Sequence, residues 1–343
     1  MAYPFAQFMG VLIINDELVR KLLPMDTCID AMEQAIVTLA RDNAVQPLRS
    51  LLWQPDHAGL LGMMPGWLGE PQALGIKVVT IFPGNHGTEL DAHQGVVLLF
   101  DTTDGRLLAV IDATEITGIR TAAVSAVATR HLAAPDACVL AILGSGTQAQ
   151  THLEAMLCVR EITRVRVWSR RPESAERFVA AASRRWDCEI ETAPTARDAV
   201  RDAGIICTTT SASEPVLEGA WIAPGSHVNA VGACLPTTRE LDTEAVRQSR
   251  LFVDRRESAL NEAGDFLIPR AEGAIDDEHI VGELGDVVTG RVPGRVSPGD
   301  RTLFKSLGLA VEDLAAAHHV YVTALSTGAA PDMSIGGRRR EDA

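Results

Sequence analysis

The chain has 343 residues, 46% of them apolar, and carries 31 Lys and Arg against 45 Asp and Glu, a formal charge of −14. That length fills one large or two ordinary globular domains, and the acidity argues against a nucleic-acid or anionic-membrane partner. No apolar run reaches the roughly 18–20 residues that span a bilayer, and Met1–Gly10 lacks a basic then apolar leader, so a cytoplasmic location is expected.

In chain order, Asp26–Arg41 carries Ile29, Met32, Ala35, Ile36, Leu39 and Ala40 at helical spacing, with Asp26 or Thr27 as its cap. Three strand-like runs follow, Leu48–Trp53, Gly75–Phe82 and Gly95–Asp101. The turn Asp104-Gly105 leads into Arg106–Ile111 and completes a hairpin. This part predicts a mixed or antiparallel sheet with one helix. Ala-rich Thr121–Leu132 predicts a bridging helix. From residue 137 strands and helices alternate. Strands are expected at Cys138–Leu143, Arg164–Trp168, Glu189–Thr192, Gly204–Thr208, His227–Val231 and Leu251–Val253, with helices at Thr147–Val159, Pro172–Arg185 and Ala196–Ala203. Such alternation builds a doubly wound parallel sheet, so the fold class is α/β. Val311–Leu325 predicts a last helix, and residues 336–343 a flexible charged tail. The six cysteines stand at long spacings without a C-x-x-C and read as reduced, mostly buried thiols.

The run Gly144-Ser145-Gly146-Thr147-Gln148-Ala149 follows a strand and opens a helix, as a dinucleotide fingerprint must. Gly144 allows the tight turn, Gly146 lets backbone approach a pyrophosphate, and Ala149 lets the helix pack on the strand. The second strand ends Trp168-Ser169-Arg170-Arg171, with no carboxylate for a ribose 2′-hydroxyl. Arg170 and Arg171 suit a 2′-phosphate and Ser169 can donate to it, so NADPH is expected to be preferred over NADH.

Only three of the 31 basic residues are Lys: Lys21, Lys77 and Lys305. Lysine, unlike arginine, can shift its pKa and lose a proton. Lys77 interrupts an apolar strand, and so sits on the solvent face or is buried with a partner. With Arg49 and Arg120 it could converge on a carboxylate, although by spacing alone each reads first as a surface or structural cation. His86 and His93 lie in a polar loop, and His318 and His319 are adjacent. None has metal-ligand spacing, and Ser125, Ser145 and Ser211 lack a nucleophile-elbow context.

Several segments together resemble the ornithine cyclodeaminase/mu-crystallin family. They are Gln46–Arg49, Gly75–Thr80, Asp91–Leu98, Ile119–Ala126, the fingerprint, Asn229–Ala233, Glu262–Asp265 and Thr302–Gly308. The resemblance implies a Rossmann domain (121–308) inserted into a mixed α+β substrate-binding and dimerisation domain (1–120, completed by 309–335), and a homodimer formed through that domain's sheet. It implies that Arg49, Lys77 and Arg120 hold the carboxylate of a small imino or amino acid, with Lys77 catalytic. It further implies that Thr208, Val231, Gly232, Lys305 and Ser306 join the cofactor site.

Cyclodeaminases of the family place an Asp just after the Val-Gly-Gly/Ala segment, where this chain has Cys234. In that and in the Arg at the second strand it is similar to mu-crystallin-like ketimine reductases. The expected reaction is therefore NAD(P)H-dependent reduction of Δ1-pyrroline-2-carboxylate or Δ1-piperideine-2-carboxylate to L-proline or L-pipecolate. Ornithine or lysine cyclodeamination, an alanine dehydrogenase or opine-type reaction, and a non-catalytic dinucleotide-binding role are the alternatives.

Overall fold

The computed structural model describes residues 10–85 and 88–335. Residues 1–9, His86 and the expected tail 336–343 lie outside the described residues. The described residues build two eight-stranded sheets. The first holds β1 (Val11–Ile14), β2 (Ala44–Val45), β3 (Ser50–Trp53), β4 (Leu60–Gly69), β5 (Gln72–Ile81), β6 (His93–Phe100) and β7 (Leu107–Asp112). The second holds β8 (Val139–Leu143), β9 (Arg164–Trp168), β10 (Glu189–Thr192), β11 (Ile205–Thr208), β12 (His227–Ala230), β13 (Arg250–Val253), β14 (Ile280–Glu283) and β15 (Thr302–Lys305). The chain then returns as β16 (Asp332–Met333) to the first sheet.

The first sheet runs β16-β1-β7-β6-β5-β4-β2, with β3 also on β4. It is antiparallel apart from the β1–β7 pair. The second runs β10-β9-β8-β11-β12-β15-β13-β14 and is parallel throughout. The fold is α/β with a Rossmann-type sheet.

β4 is an element that the sequence reading lacked. Its ten residues contain Gly62, Pro65, Gly66 and Gly69, which read as breakers. Proline is tolerated because Pro65 occupies a gap in the edge pairing. β3 pairs as far as Met63, β2 resumes at Trp67, and residues 46–49 leave the sheet between them. β14 and β15, four residues each, are likewise too short for periodicity to mark.

The helix Met25–Ala40 buries Cys28, Ile29, Met32, Ala35 and Ile36. Its N-cap is Pro24, with no side-chain cap, so neither Asp26 nor Thr27 caps it. The bridging helix is Ala113–Leu132, eight residues longer at its start than expected. Asp112 caps it by accepting from the Glu115 N–H at 2.8 Å. Thr114, Ile116, Thr117 and Gly118 are weak helix formers that hid this first half. It lies between the sheets and is buried on most sides, which explains its Ala-rich, unpatterned composition.

The C-terminal helix Ala310–Thr327 packs on β4, β5 and β6. Gly66 and Gly75, opposite each other in the β4–β5 pair, make room for it. A Cβ on Gly75 would stand 2.7 Å from the Leu314 side chain. Of the six cysteines only Cys28 and Cys207 are buried, and Cys138 and Cys158 are exposed, so the expectation of mostly buried thiols is corrected.

Candidate active site

A cleft of about 1050 Å³ opens between the two sheets. One wall comes from β3–β6 and the bridging helix. The other comes from the loops at the C-terminal ends of β8, β9, β11 and β12, where a sheet of this kind binds ligands.

Lys77 stands on the face of β5 shared by Ala73, Gly75 and Val79, which points away from solvent. It is 2% exposed and therefore needs a counter-charge. Asp313, in the first turn of the C-terminal helix, supplies it at 2.7 Å from Nζ. The Thr117 hydroxyl lies 3.3 Å from the same nitrogen. Burial lowers the Lys77 pKa to about 8, with Asp313 opposing the shift and Arg120 adding to it.

Arg120 lies inside the bridging helix, not before it. Its Nε donates to Asp313 and its Nη1 to Glu312, both at 2.8 Å. Burial weighs against its charge, but the two carboxylates outweigh it and raise its pKa. Burial also pushes Asp313 up, and Arg120 and Lys77 overcome this, so its carboxyl stays below its ordinary range. Glu312 goes the other way. Burial lifts it to about 7 against the pull of Arg120.

Arg49 enters from the gap between β2 and β3. Its Nη2 donates to the Leu307 and Gly308 carbonyls at 2.9 and 3.0 Å, and its Nε pairs with Glu262 at 2.8 Å. Among the described residues, Arg49 Nη1 and Arg120 Nη2 have no partner. All three cations line the cleft. Spare N–H groups on planar guanidiniums, beside an ammonium, form a receptor for one carboxylate.

His93 opens β6 and lines the cleft, not a surface loop. Burial first, then the Lys77 and Arg120 charges, lower its pKa to about 4, so its ring is neutral near pH 7. Gly62, Met64 and Val79 complete an apolar wall beside Lys77.

On the opposite wall Gly144 has φ +125°, and its N–H donates to the Trp168 carbonyl at 2.8 Å. The helix Thr147–Val159 starts at Gly146 without a side-chain cap. A Cβ on Gly146 would meet nothing within 4 Å. Open space before uncapped N–H groups fits a pyrophosphate. Ser145 donates to Ser169 at 3.0 Å, and Gln148 donates to the Thr117 carbonyl at 3.3 Å. Ser145, Thr147, Gln148, Ser169, Arg170, Arg171, Val231, Gly232 and Ser306 all line the cleft. Ala149, in the first turn of this helix, is buried where the helix packs on the sheet and small size matters.

Thr208 and Lys305 do not line the cleft. Both are buried behind its wall, Thr208 on Glu240 and Lys305 on Asp265, one layer back from the surface that would meet a cofactor.

The sequence reading missed Asp313 and Glu312. The signal available was chemical: a Lys inside an apolar strand demands a carboxylate, and Glu312-Asp313 opens an otherwise apolar helix. Cys234 faces the cleft where a cyclodeaminase-like Asp was absent, and the next carboxylate, Glu240, is turned inward onto backbone amides.

Comparison with known proteins agrees with this arrangement. The ornithine cyclodeaminase/mu-crystallin family model matches residues 11–328. The chain is 42% identical over 296 residues to the ketimine reductase mu-crystallin of Mus musculus, covering 85% of this chain and 90% of that one. It superposes on a Thermococcus litoralis Δ1-pyrroline-2-carboxylate reductase solved with NADH and L-proline, with TM-score 0.92 and 39% identity, over 94% of this chain and 100% of that one. It also resembles an archaeal alanine dehydrogenase dimer with bound NAD, with TM-score 0.90 and 33% identity, over 95% and 99% of the two chains. The chain belongs to the ornithine cyclodeaminase/mu-crystallin family.

Proposed function

We propose that the protein is an NAD(P)H-dependent reductase of cyclic ketimines, taking Δ1-pyrroline-2-carboxylate or Δ1-piperideine-2-carboxylate to L-proline or L-pipecolate. The observation that carries this reading is Lys77, buried on Asp313 between two arginines with spare N–H groups, across the cleft from a dinucleotide cradle. Among the described residues no carboxylate lines the cleft to take a substrate amine, which argues against ornithine or lysine. The relatives named for ketimine and pyrroline-2-carboxylate reduction support the same class.

The chain's own groups divide the work. Arg49 and Arg120 hold the carboxylate through Nη1 and Nη2, fixing the ring against the apolar wall of Gly62, Met64 and Val79. That wall excludes water and strengthens each charge inside the cleft. The bound nicotinamide supplies the hydride. Lys77 Nζ holds the proton that goes to the imine nitrogen, so the C=N bond becomes CH–NH and Lys77 is left neutral. Its pKa near 8 suits a donor at neutral pH. Asp313 keeps the proton there until it is needed.

Arg170 and Arg171, exposed at the end of β9 without an ion pair among the described residues, favour NADPH over NADH. Residues 1–120 with 309–335, and 121–308, are read as the substrate-binding and dinucleotide-binding domains. A homodimer belongs to the same reading. The outer face of the first sheet presents Leu61, Met63, Trp67, Ile76 and Val78 half-buried, with exposed Leu52, Trp53 and Leu74 nearby. So does a cytoplasmic location, supported by six free cysteines.

The test is absorbance loss of NADPH and NADH with each imine near neutral pH. Faster oxidation with NADPH is expected, and it should be lost in Lys77→Met. No oxidation with either imine, together with ammonia release from ornithine and catalytic NAD+, would overturn the reading.

A further inference from the structure

A second buried charge cluster lies behind the cofactor-facing wall and takes no part in the steps above. Glu240 is fully buried. Its Oε1 accepts from the backbone N–H and the hydroxyl of Thr210, both at 2.6 Å. Its Oε2 accepts from the Gly232 N–H at 2.6 Å and the Thr208 hydroxyl at 2.8 Å. Four donors converging on two oxygens suit a carboxylate. Burial, then the neighbouring Asp265, raise the Glu240 pKa, while these donors and Lys305 act to keep it ionised.

Asp265 and Lys305 back it. Asp265 Oδ1 accepts from the Glu240 and Leu241 N–H groups at 2.8 and 3.0 Å. Its Oδ2 lies 3.0 Å from Lys305 Nζ, which also donates to the Ala230 carbonyl at 3.3 Å. All three are at most 2% exposed. Two carboxylates against one ammonium leave the cluster with one net negative charge.

Its place in the fold gives that charge a consequence. Thr210 and Gly232, whose amides Glu240 holds, line the cleft just past β11 and β12. In a sheet of this order the half built on β11, β12 and β15 faces the nicotinamide end of a dinucleotide. That end is neutral when reduced and cationic when oxidised. A fixed buried charge beside it needs no reorganisation and escapes most salt screening.

We propose that the Glu240–Asp265–Lys305 cluster is a positioning group that fixes the nicotinamide-side wall through Thr210 and Gly232 and biases the site toward the oxidised, cationic cofactor. The proposal rests on the reading that the cleft binds NAD(P)H. It joins three separate segments of the sequence into one device and gives Thr208 and Lys305 a role without contact to the cofactor. In the reducing direction the bias strengthens as positive charge develops on the donor, so it acts in the transition state.

The experiment measures dissociation constants of NADP+ and NADPH on the full-length protein, by calorimetry, for the parent and for Glu240→Gln. The substitution keeps the size of the side chain and removes its charge. The ratio of the NADP+ constant to the NADPH constant should rise by about tenfold, as one nearby unit charge at protein-like screening gives. Asp265→Asn, which also removes one negative charge, should move the ratio the same way and carries the test if Glu240→Gln folds poorly. A merely structural role would weaken both cofactors alike. An unchanged ratio in the folded variants, or equal weakening of both cofactors, overturns the proposal. Failure of the parent to bind either cofactor overturns the underlying reading instead.

Discussion

Asp313→Asn isolates the electrostatics of the proton donor. The side chain keeps its shape and can still accept from Arg120, but Lys77 loses the only carboxylate within ion-pair distance among the described residues. Unit charges 2.7 Å apart attract by about 6 kcal/mol at an effective dielectric of ~20. Desolvation offsets part of this, and removing one partner of a buried pair typically costs about 3–5 kcal/mol. Taking ~3 kcal/mol as the share that stabilises protonated Lys77 moves its pKa down by about two pH units. The alkaline limb of kcat/KM for imine reduction, expected at about 8 in the parent, should then fall to ~6. At pH 7.5 the variant would be slow, and it should regain rate on acidification. The assay is NADPH oxidation between pH 5.5 and 9.5, with circular dichroism to confirm folding. A limb that stays where the parent has it would refute the Asp313 pairing as the source of the Lys77 charge.

Other outcomes follow from the same geometry. Arg170→Ala should raise KM for NADPH by about tenfold or more while leaving KM for NADH nearly unchanged, since a charge-assisted contact contributes ~1.5–3 kcal/mol. Gly308→Ala forces a φ of +79° on a residue with a side chain and places a Cβ 2.3 Å from Arg120 Nη1, so Arg120 must shift. KM for the imine should rise about tenfold with a smaller change in cofactor affinity. Glu312, raised from 4.5 to about 7, stabilises the fold below 4.5 and loses that contribution as pH rises through 7. The loss amounts to ~3 kcal/mol. Urea unfolding of Glu312→Gln should lack this part of the pH dependence, and an unaltered profile would show that another group titrates.

Periodicity and punctuation carried the second half of the chain. The helix Thr147–Val159 and the strand Arg164–Trp168 stand where the sequence puts them, because strand, glycine turn and helix follow one another at short range. The first half was harder to read. β4 hides because Pro65 is tolerated by a gap in a neighbouring edge and Gly66 by the helix packed on it, facts of pairing and packing and not of local preference. The start of the bridging helix hides because a helix buried on most sides needs no polar face. The cations were visible as oddities in their surroundings. Their carboxylate partners were not, because Asp313 is 193 residues from Arg120 along the chain and is brought in by helix packing. Thr208 and Lys305 show the converse limit. They stand next to residues that line the cleft, but strand alternation and loop geometry turn them to its back.

The bridging helix has a consequence for how the molecule comes apart. One continuous apolar core holds Leu12, Val97 and Ile111 of the first sheet, Ala122 and Val124 of the helix, and Leu140, Val165 and Ile205 of the second. The two sheets therefore share a folding unit even though they do different work. Loss of packing on either side exposes the same helix and removes support from the other. The chain should melt in a single cooperative transition. Dinucleotide binding, although it touches one wall of the cleft, should raise the melting temperature of the substrate-holding sheet equally, because the bound state is linked to folding of the whole.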